Sequence, residues 1–226
     1  MNENKNKLCI IYWGLIRGFK YEKTYLTHKK NIYDKLNNQK INFDVYIITN
    51  EKDYDDIYIN KIPNVVILKI LKISNIRKNE KYIKSLKNIQ YTTPGWNDIF
   101  QENISLVNYN KNFIFKLIPS NYKKYLAMDI SHNIEKLDIK FFNNNNCVPK
   151  KHNCNGYNPR FLISNYDTLK IELTKLEYII NNKNLIFHNP EMFLKYLFDK
   201  NNIKIIETDD IIINRIRTNG EILYDL

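Results

Sequence analysis

The stretch LCIIYWG, residues 8–14, is a run of β-branched, aromatic and other apolar residues closed by a glycine. It lacks the alternation of a half-exposed strand and reads as a strand buried on both faces, as in parallel sheets. FDVYIITN (43–50) and NVVILKI (64–70) read as a second and a third buried strand. Between the first two, EKTYLTHKKNIYDKLNNQ (22–39) sets Tyr25, Ile32, Tyr33 and Leu36 at near-helical spacing. Strand, helix, strand, short connection, strand is the opening of an α/β domain with a central, mostly parallel sheet flanked by helices.

Further along, residues 71–95 are rich in Lys, Asn and Tyr and end in TTPGW, so a loop with one short helix is expected. NDIFQENISLVNYNKNFI (97–114) places Ile99, Phe100, Ile104, Leu106, Val107 and Phe113 at helical intervals, with Asn97 or Asp98 as N-cap. KKYLAMD (123–129) is a fourth strand, and 133–159 is expected to be mostly loop, with a low-complexity asparagine run at 143–146. RFLISN (160–165) reads as a strand and YDTLKIELTKLEYIINN (166–182) as an amphipathic helix. NPEMFLKYLFDKN (189–201) is another helix, with Pro190 in its first turn, and 203–217 closes with one or two strands. No repeat or linker interrupts the chain, so residues 1–226 are expected to form one domain.

Composition narrows the function. Hydrophobic residues make up 43% and charged residues 26%, a globular balance. The net charge is +11, yet lysine is spread along the chain with no Arg-rich block. A basic nucleic-acid binder usually concentrates its charge, so no specific nucleic-acid partner is expected. A basic surface still attracts an anionic small substrate. Three cysteines, Cys9, Cys147 and Cys154, fit a reducing compartment. The N-terminus has no signal-peptide pattern and no segment is long enough to span a membrane, so a soluble, intracellular protein is expected.

In open α/β sheets, ligands bind beyond the carboxyl ends of the strands, near the point where strand order reverses. That rule marks GLIRG (14–18), where Gly14 lets backbone approach a ligand and Arg17 can pair with a phosphate. The lysine-serine ending of a phosphate loop is absent, and a plain turn with a surface arginine fits equally. The rule also marks Asp129 at the end of the fourth strand. A carboxylate there either ends the strand or holds Mg²⁺ or Mn²⁺ together with substrate phosphates. Two positions earlier stands Ala127, so no second acid accompanies it; His132 is a weaker candidate ligand. CVPKKHNC (147–154) lacks the spacing and the fourth ligand of a zinc site.

Ordered pieces of the chain carry a resemblance. They are IIYWGLIRGFKYEKTYLTHKKNIYDKL, FDVYIITN, LAMD, KLDIKFF, VP, GYNPRFLISN, HNPEMFLKYLFDKNNIKI and INRIRTNGEI. Together they resemble a glycosyltransferase-like family common in giant viruses and some algae and microbes. The likeness covers nearly the whole chain and rests on the ordered set. It implies a GT-A type fold that moves a sugar from a nucleotide-sugar to a hydroxyl of a glycan or protein acceptor. It also implies Mn²⁺ or Mg²⁺, which with basic residues would stabilise charge on the leaving nucleoside diphosphate. By position, the resemblance implies Gly14 and Arg17 near the nucleotide and Asp129 as the remaining acid of the metal motif. It implies Asn158 and Arg160 on the sugar or acceptor side, and Glu191 in the acceptor pocket as a base or an orienting group. From the residues alone, Glu191 reads equally as an acid that complements its helix N-terminus. The chain departs from the family pattern at Ala127-Met128-Asp129, where the family has Arg-Pro-Asp, and at Pro159, where it has Asp. Those departures leave a catalytically degenerate binding or assembly protein as the alternative.

Overall fold

Successive residues of β1 (Leu8–Trp13) point into two different cores. Leu8, Ile10 and Tyr12 join one apolar cluster, while Cys9, Ile11 and Trp13 join another on the opposite face. The period of two and the burial of both faces account for the unbroken apolar run. The computed structural model describes residues 6–14, 21–51, 57–138, 140, 146–216 and 221–223.

β1 lies inside a seven-stranded sheet. It pairs in parallel with β2 (Phe43–Asn50) on one side and with β5 (Lys124–Asp129) on the other. β3 (Val65–Leu71) extends the sheet in parallel beyond β2. Beyond β5 lie β8 (Phe161–Ser164), which runs antiparallel, then β7 (Cys147–Pro149) and β10 (Ile206–Thr208). The fold is therefore α/β with a mostly parallel central sheet. Strand order advances from β1 through β2 to β3 on one side and resumes with β5 on the other. The order reverses between β1 and β5.

Helices cover both faces. On one face, α1 (Glu22–His28), a π-helical turn (Lys29–Tyr33) and α2 (Asp34–Asn38) form the crossover from β1 to β2 and bury Ile32, Tyr33 and Leu36. This is the expected helix with a π segment inside it. The same face holds a three-stranded sheet of β12 (Ile222–Leu223), β11 (Ile211–Ile216) and β6 (His132–Leu137). On the other face, α5 (Asp98–Phe115) and α6 (Tyr166–Leu173) pack Ile114, Leu169 and Leu173 against Trp13, Tyr125 and Ala127. Asn97 caps α5 as expected, its side chain accepting from the Phe100 amide.

Four expectations change. β3 is an edge strand with Val65, Val66 and Ile70 exposed, because nothing pairs with its outer side among the described residues. Residues 71–95 contain α3 (Ile73–Arg77), α4 (Glu80–Asn88) and β4 (Ile89–Tyr91), not a loop with one helix. The region 133–159 is less loop than expected, since it holds most of β6 together with β7. The helix expected over 166–182 breaks at Thr174, where α7 (Lys175–Asn181) begins. Two further elements complete the chain: β9 (Leu185–Phe187), parallel to β4, and α8 (Pro190–Lys200), capped by Asn189. Among the described residues no helix is long and apolar enough to cross a membrane.

Candidate functional site

Register brings the first two candidates together. Trp13, the last residue of β1, pairs with Asp129, the last of β5, at the point where strand order reverses. Gly14 follows with φ at +99°, a conformation favoured by glycine. Its α-carbon lies against the Asp129 carboxylate, so a Cβ there would fall 2.8 Å from Oδ1. The Thr49 hydroxyl, on β2, donates to the Gly14 carbonyl at 3.0 Å and fixes the turn's start. Arg17 lies outside the described residues.

Asp129 is held rather than free. Its Oδ1 accepts from the Ser131 amide at 2.9 Å and the Ser131 hydroxyl at 2.7 Å. His132 Nδ1 lies 3.7 Å from the same oxygen. Burial alone would raise the carboxyl's pKa. The facing His132 and the Ser131 hydrogen bonds outweigh it and hold Asp129 well below the usual carboxylate range. His132 is buried, and neither ring nitrogen has a hydrogen-bond partner among the described residues. Asp129 is thus a fixed carboxylate faced by a buried imidazole. That pair fits a divalent cation only as part of its coordination, with phosphate and water supplying the rest. No group of three or more His, Cys, Asp or Glu able to hold a metal occurs among the described residues.

A chain of polar contacts holds the His132 backbone from behind. His28 Nε2 donates to the His132 carbonyl at 2.7 Å, which fixes the tautomer, since a carbonyl only accepts. His28 Nδ1 then accepts from Tyr12 Oη at 3.0 Å, and Tyr33 Oη donates to Tyr12 at 2.9 Å. Burial lowers the His28 pKa to about 4, against the opposing pull of the backbone bond.

The remaining candidates approach from β8 and α8. β8 runs antiparallel, so its first residues meet the last of β5: the Asp129 amide donates to the Arg160 carbonyl at 2.9 Å. Asn158 is buried. Its amide donates to the Lys151 carbonyl at 3.0 Å and its Oδ1 accepts from the Arg160 amide at 3.0 Å, so it shapes the loop that presents Arg160. The Arg160 guanidinium, about a third exposed at 35%, lies 3.8 Å from Glu191 Oε1. Glu191 is buried in the first turn of α8, and burial raises its carboxyl pKa against the opposing charge of Arg160. Gly156 permits this placement, because a Cβ there would fall 2.0 Å from the Glu191 backbone carbonyl carbon.

The departures from the family pattern have a place in the fold. Ala127 pairs with Ile11 and faces the apolar core under α5 and α6, and Met128 packs on the opposite face. The Pro159 carbonyl accepts from Lys111 Nζ at 3.0 Å. This buried lysine was not picked out from the sequence. It also pairs with Glu172, and its ammonium sits 4.1 Å over the Trp13 ring. Glu172 pairs in turn with Lys175 at 3.0 Å. Burial pulls the Lys111 pKa down from the ordinary lysine range, against the counter-pull of Glu172. The signal was spacing: Val107, Lys111 and Ile114 share one face of α5, and Leu169, Glu172 and Leu173 one face of α6.

No protein-family model and no curated protein matches the sequence. Among solved structures, the apo crystal structure of mouse xyloside xylosyltransferase 1 is similar over 90% of this chain and 85% of that one, at 7% sequence identity and a TM-score of 0.46.

Proposed function

We propose that the chain receives a nucleotide-sugar at the carboxyl edge between β1 and β5 and transfers its sugar to an acceptor hydroxyl. The observation that carries this reading is the apposition of Gly14 and Asp129 at the point of strand reversal, where open α/β sheets bind ligands. Asp129 and His132 would hold Mn²⁺ or Mg²⁺, which when bound would offset the charge of the diphosphate. Arg17 is assigned to the same anion by the sequence resemblance. In the transfer, the acceptor oxygen forms a bond to the anomeric carbon, the bond from that carbon to the diphosphate oxygen breaks, and the nucleoside diphosphate leaves. The acceptor proton passes to Glu191, whose carboxyl pKa burial raises.

A second reading rests on Ala127. A small apolar residue in the core stands where the metal motif is implied to continue, and this favours a protein that binds the nucleotide-sugar without turning it over. Incubating the chain with UDP-, GDP- and dTDP-sugars and measuring released nucleoside diphosphate separates the two. Release that Asp129→Asn abolishes supports transfer. Tight binding with no release supports the second reading, and neither binding nor release refutes both.

A further inference from the structure

Contacts of one buried ammonium close a ring around Asp129. Lys111 Nζ, from α5, donates to the Pro159 carbonyl at 3.0 Å and lies 4.1 Å over the Trp13 ring. Pro159 precedes Arg160, whose carbonyl accepts from the Asp129 amide at 2.9 Å. The Trp13 carbonyl accepts from the Ile130 amide at 3.0 Å. The two segments that Lys111 holds are therefore the two that hold the backbone of Asp129 and of the residue after it. β1 and β8 flank β5 on its two sides, so no ladder bond joins them to each other. Lys111 joins them from below the sheet.

The choice of a lysine at this place has a cost. Its side chain is 1% exposed, and taking an ammonium out of water is expensive where an apolar side chain of similar length would fill the space. Glu172 offsets that charge, yet Glu172 already has Lys175 at 3.0 Å and does not need a second cation. What Lys111 alone supplies is the bond to Pro159 and the cation over Trp13. We propose that Lys111 is a positioning residue, which ties the end of β1 to the start of β8 and so fixes the backbone that carries Asp129 against Gly14. Its effect on ligand binding rests on the transfer reading; the positioning itself does not.

The test is native-state hydrogen exchange by NMR on the full chain, in wild type, Lys111→Met and Lys111→Gln, so that a failure of one variant to fold leaves the other. The Asp129 and Ile130 amides are read against those of Ile47 and Ile48 in the middle of the sheet, which cancels any loss of global stability. Ile179→Val and Ile179→Ala, in a separate apolar cluster, serve as controls that lower stability without touching Lys111. Loss of the Lys111 contacts should quicken exchange at Asp129 and Ile130 about tenfold or more relative to Ile47 and Ile48. The Ile179 variants should leave that ratio as in wild type. An unchanged ratio in the Lys111 variants overturns the proposal, and so does an equal rise in the Ile179 variants. UDP-, GDP- and dTDP-sugars are titrated calorimetrically into the same proteins, and affinity should fall about tenfold in the Lys111 variants only. Affinity unchanged in those variants overturns the role in binding. If wild type binds none of the nucleotide-sugars, the transfer reading fails while the exchange ratio still decides the positioning.

Discussion

The α-carbon of Gly14 is packed against the carboxylate of Asp129, so closely that a single methyl group would meet Oδ1 at 2.8 Å. This contact couples the end of β1 to the acid at the end of β5. Gly14→Ala should cost about 1–3 kcal/mol through its positive φ and displace Asp129 as well. Gly156→Ala should cost more, because the clash there is with the α8 backbone at 2.0 Å and no side-chain rotation relieves it. Urea unfolding of both variants checks the order; a more stable Gly156→Ala would contradict it.

The buried Lys111–Glu172–Lys175 group makes an asymmetric prediction. Glu172→Leu removes the anion that both buried lysines share and should cost about 3–5 kcal/mol. Lys111→Met leaves Glu172 paired with Lys175, so a smaller loss of about 1–3 kcal/mol is expected. It also removes the cation over Trp13, so the emission of that tryptophan should change in a Trp96→Phe background. Equal losses in stability would mean that Lys175 does not compensate.

His28 gives the protein an acid-sensitive step. Its folded pKa of about 4 lies below the ordinary 6.5, so the unfolded chain binds the proton more readily. The stability due to neutral His28 is fully present above pH 6.5 and falls away as pH drops toward 4. The whole loss amounts to about 3 kcal/mol. Unfolding free energy measured from pH 7 to pH 4 should therefore decline, and His28→Gln should flatten that decline. A wild-type curve matching that of His28→Gln would contradict this.

The parallel strands, and the positions of Gly14 and Asp129 at strand ends, were legible because the sequence encodes them locally. An unbroken apolar run marks a strand buried on both faces, and Asp129 stands where such a run stops. β6 was hidden because His132–Leu137 is half polar and becomes a strand only by pairing with Ile211–Ile216, far along the chain. The exposure of β3 was hidden because an edge strand and a central one here have the same apolar composition. Lys111 was hidden by the abundance of lysine, which made one more lysine on a helix look like surface.

Thermal unfolding with UDP-, GDP- and dTDP-sugars, with and without Mn²⁺, reads out whether a nucleotide-sugar binds in a way that depends on Asp129. A ligand at a hundred times its Kd stabilises the native state by about 2.7 kcal/mol, a shift of roughly 5–10 °C for a chain of this size. Such a shift is expected with at least one nucleotide-sugar, larger with Mn²⁺ and lost in Asp129→Asn. No shift with any of them, or an equal shift in Asp129→Asn, would contradict it.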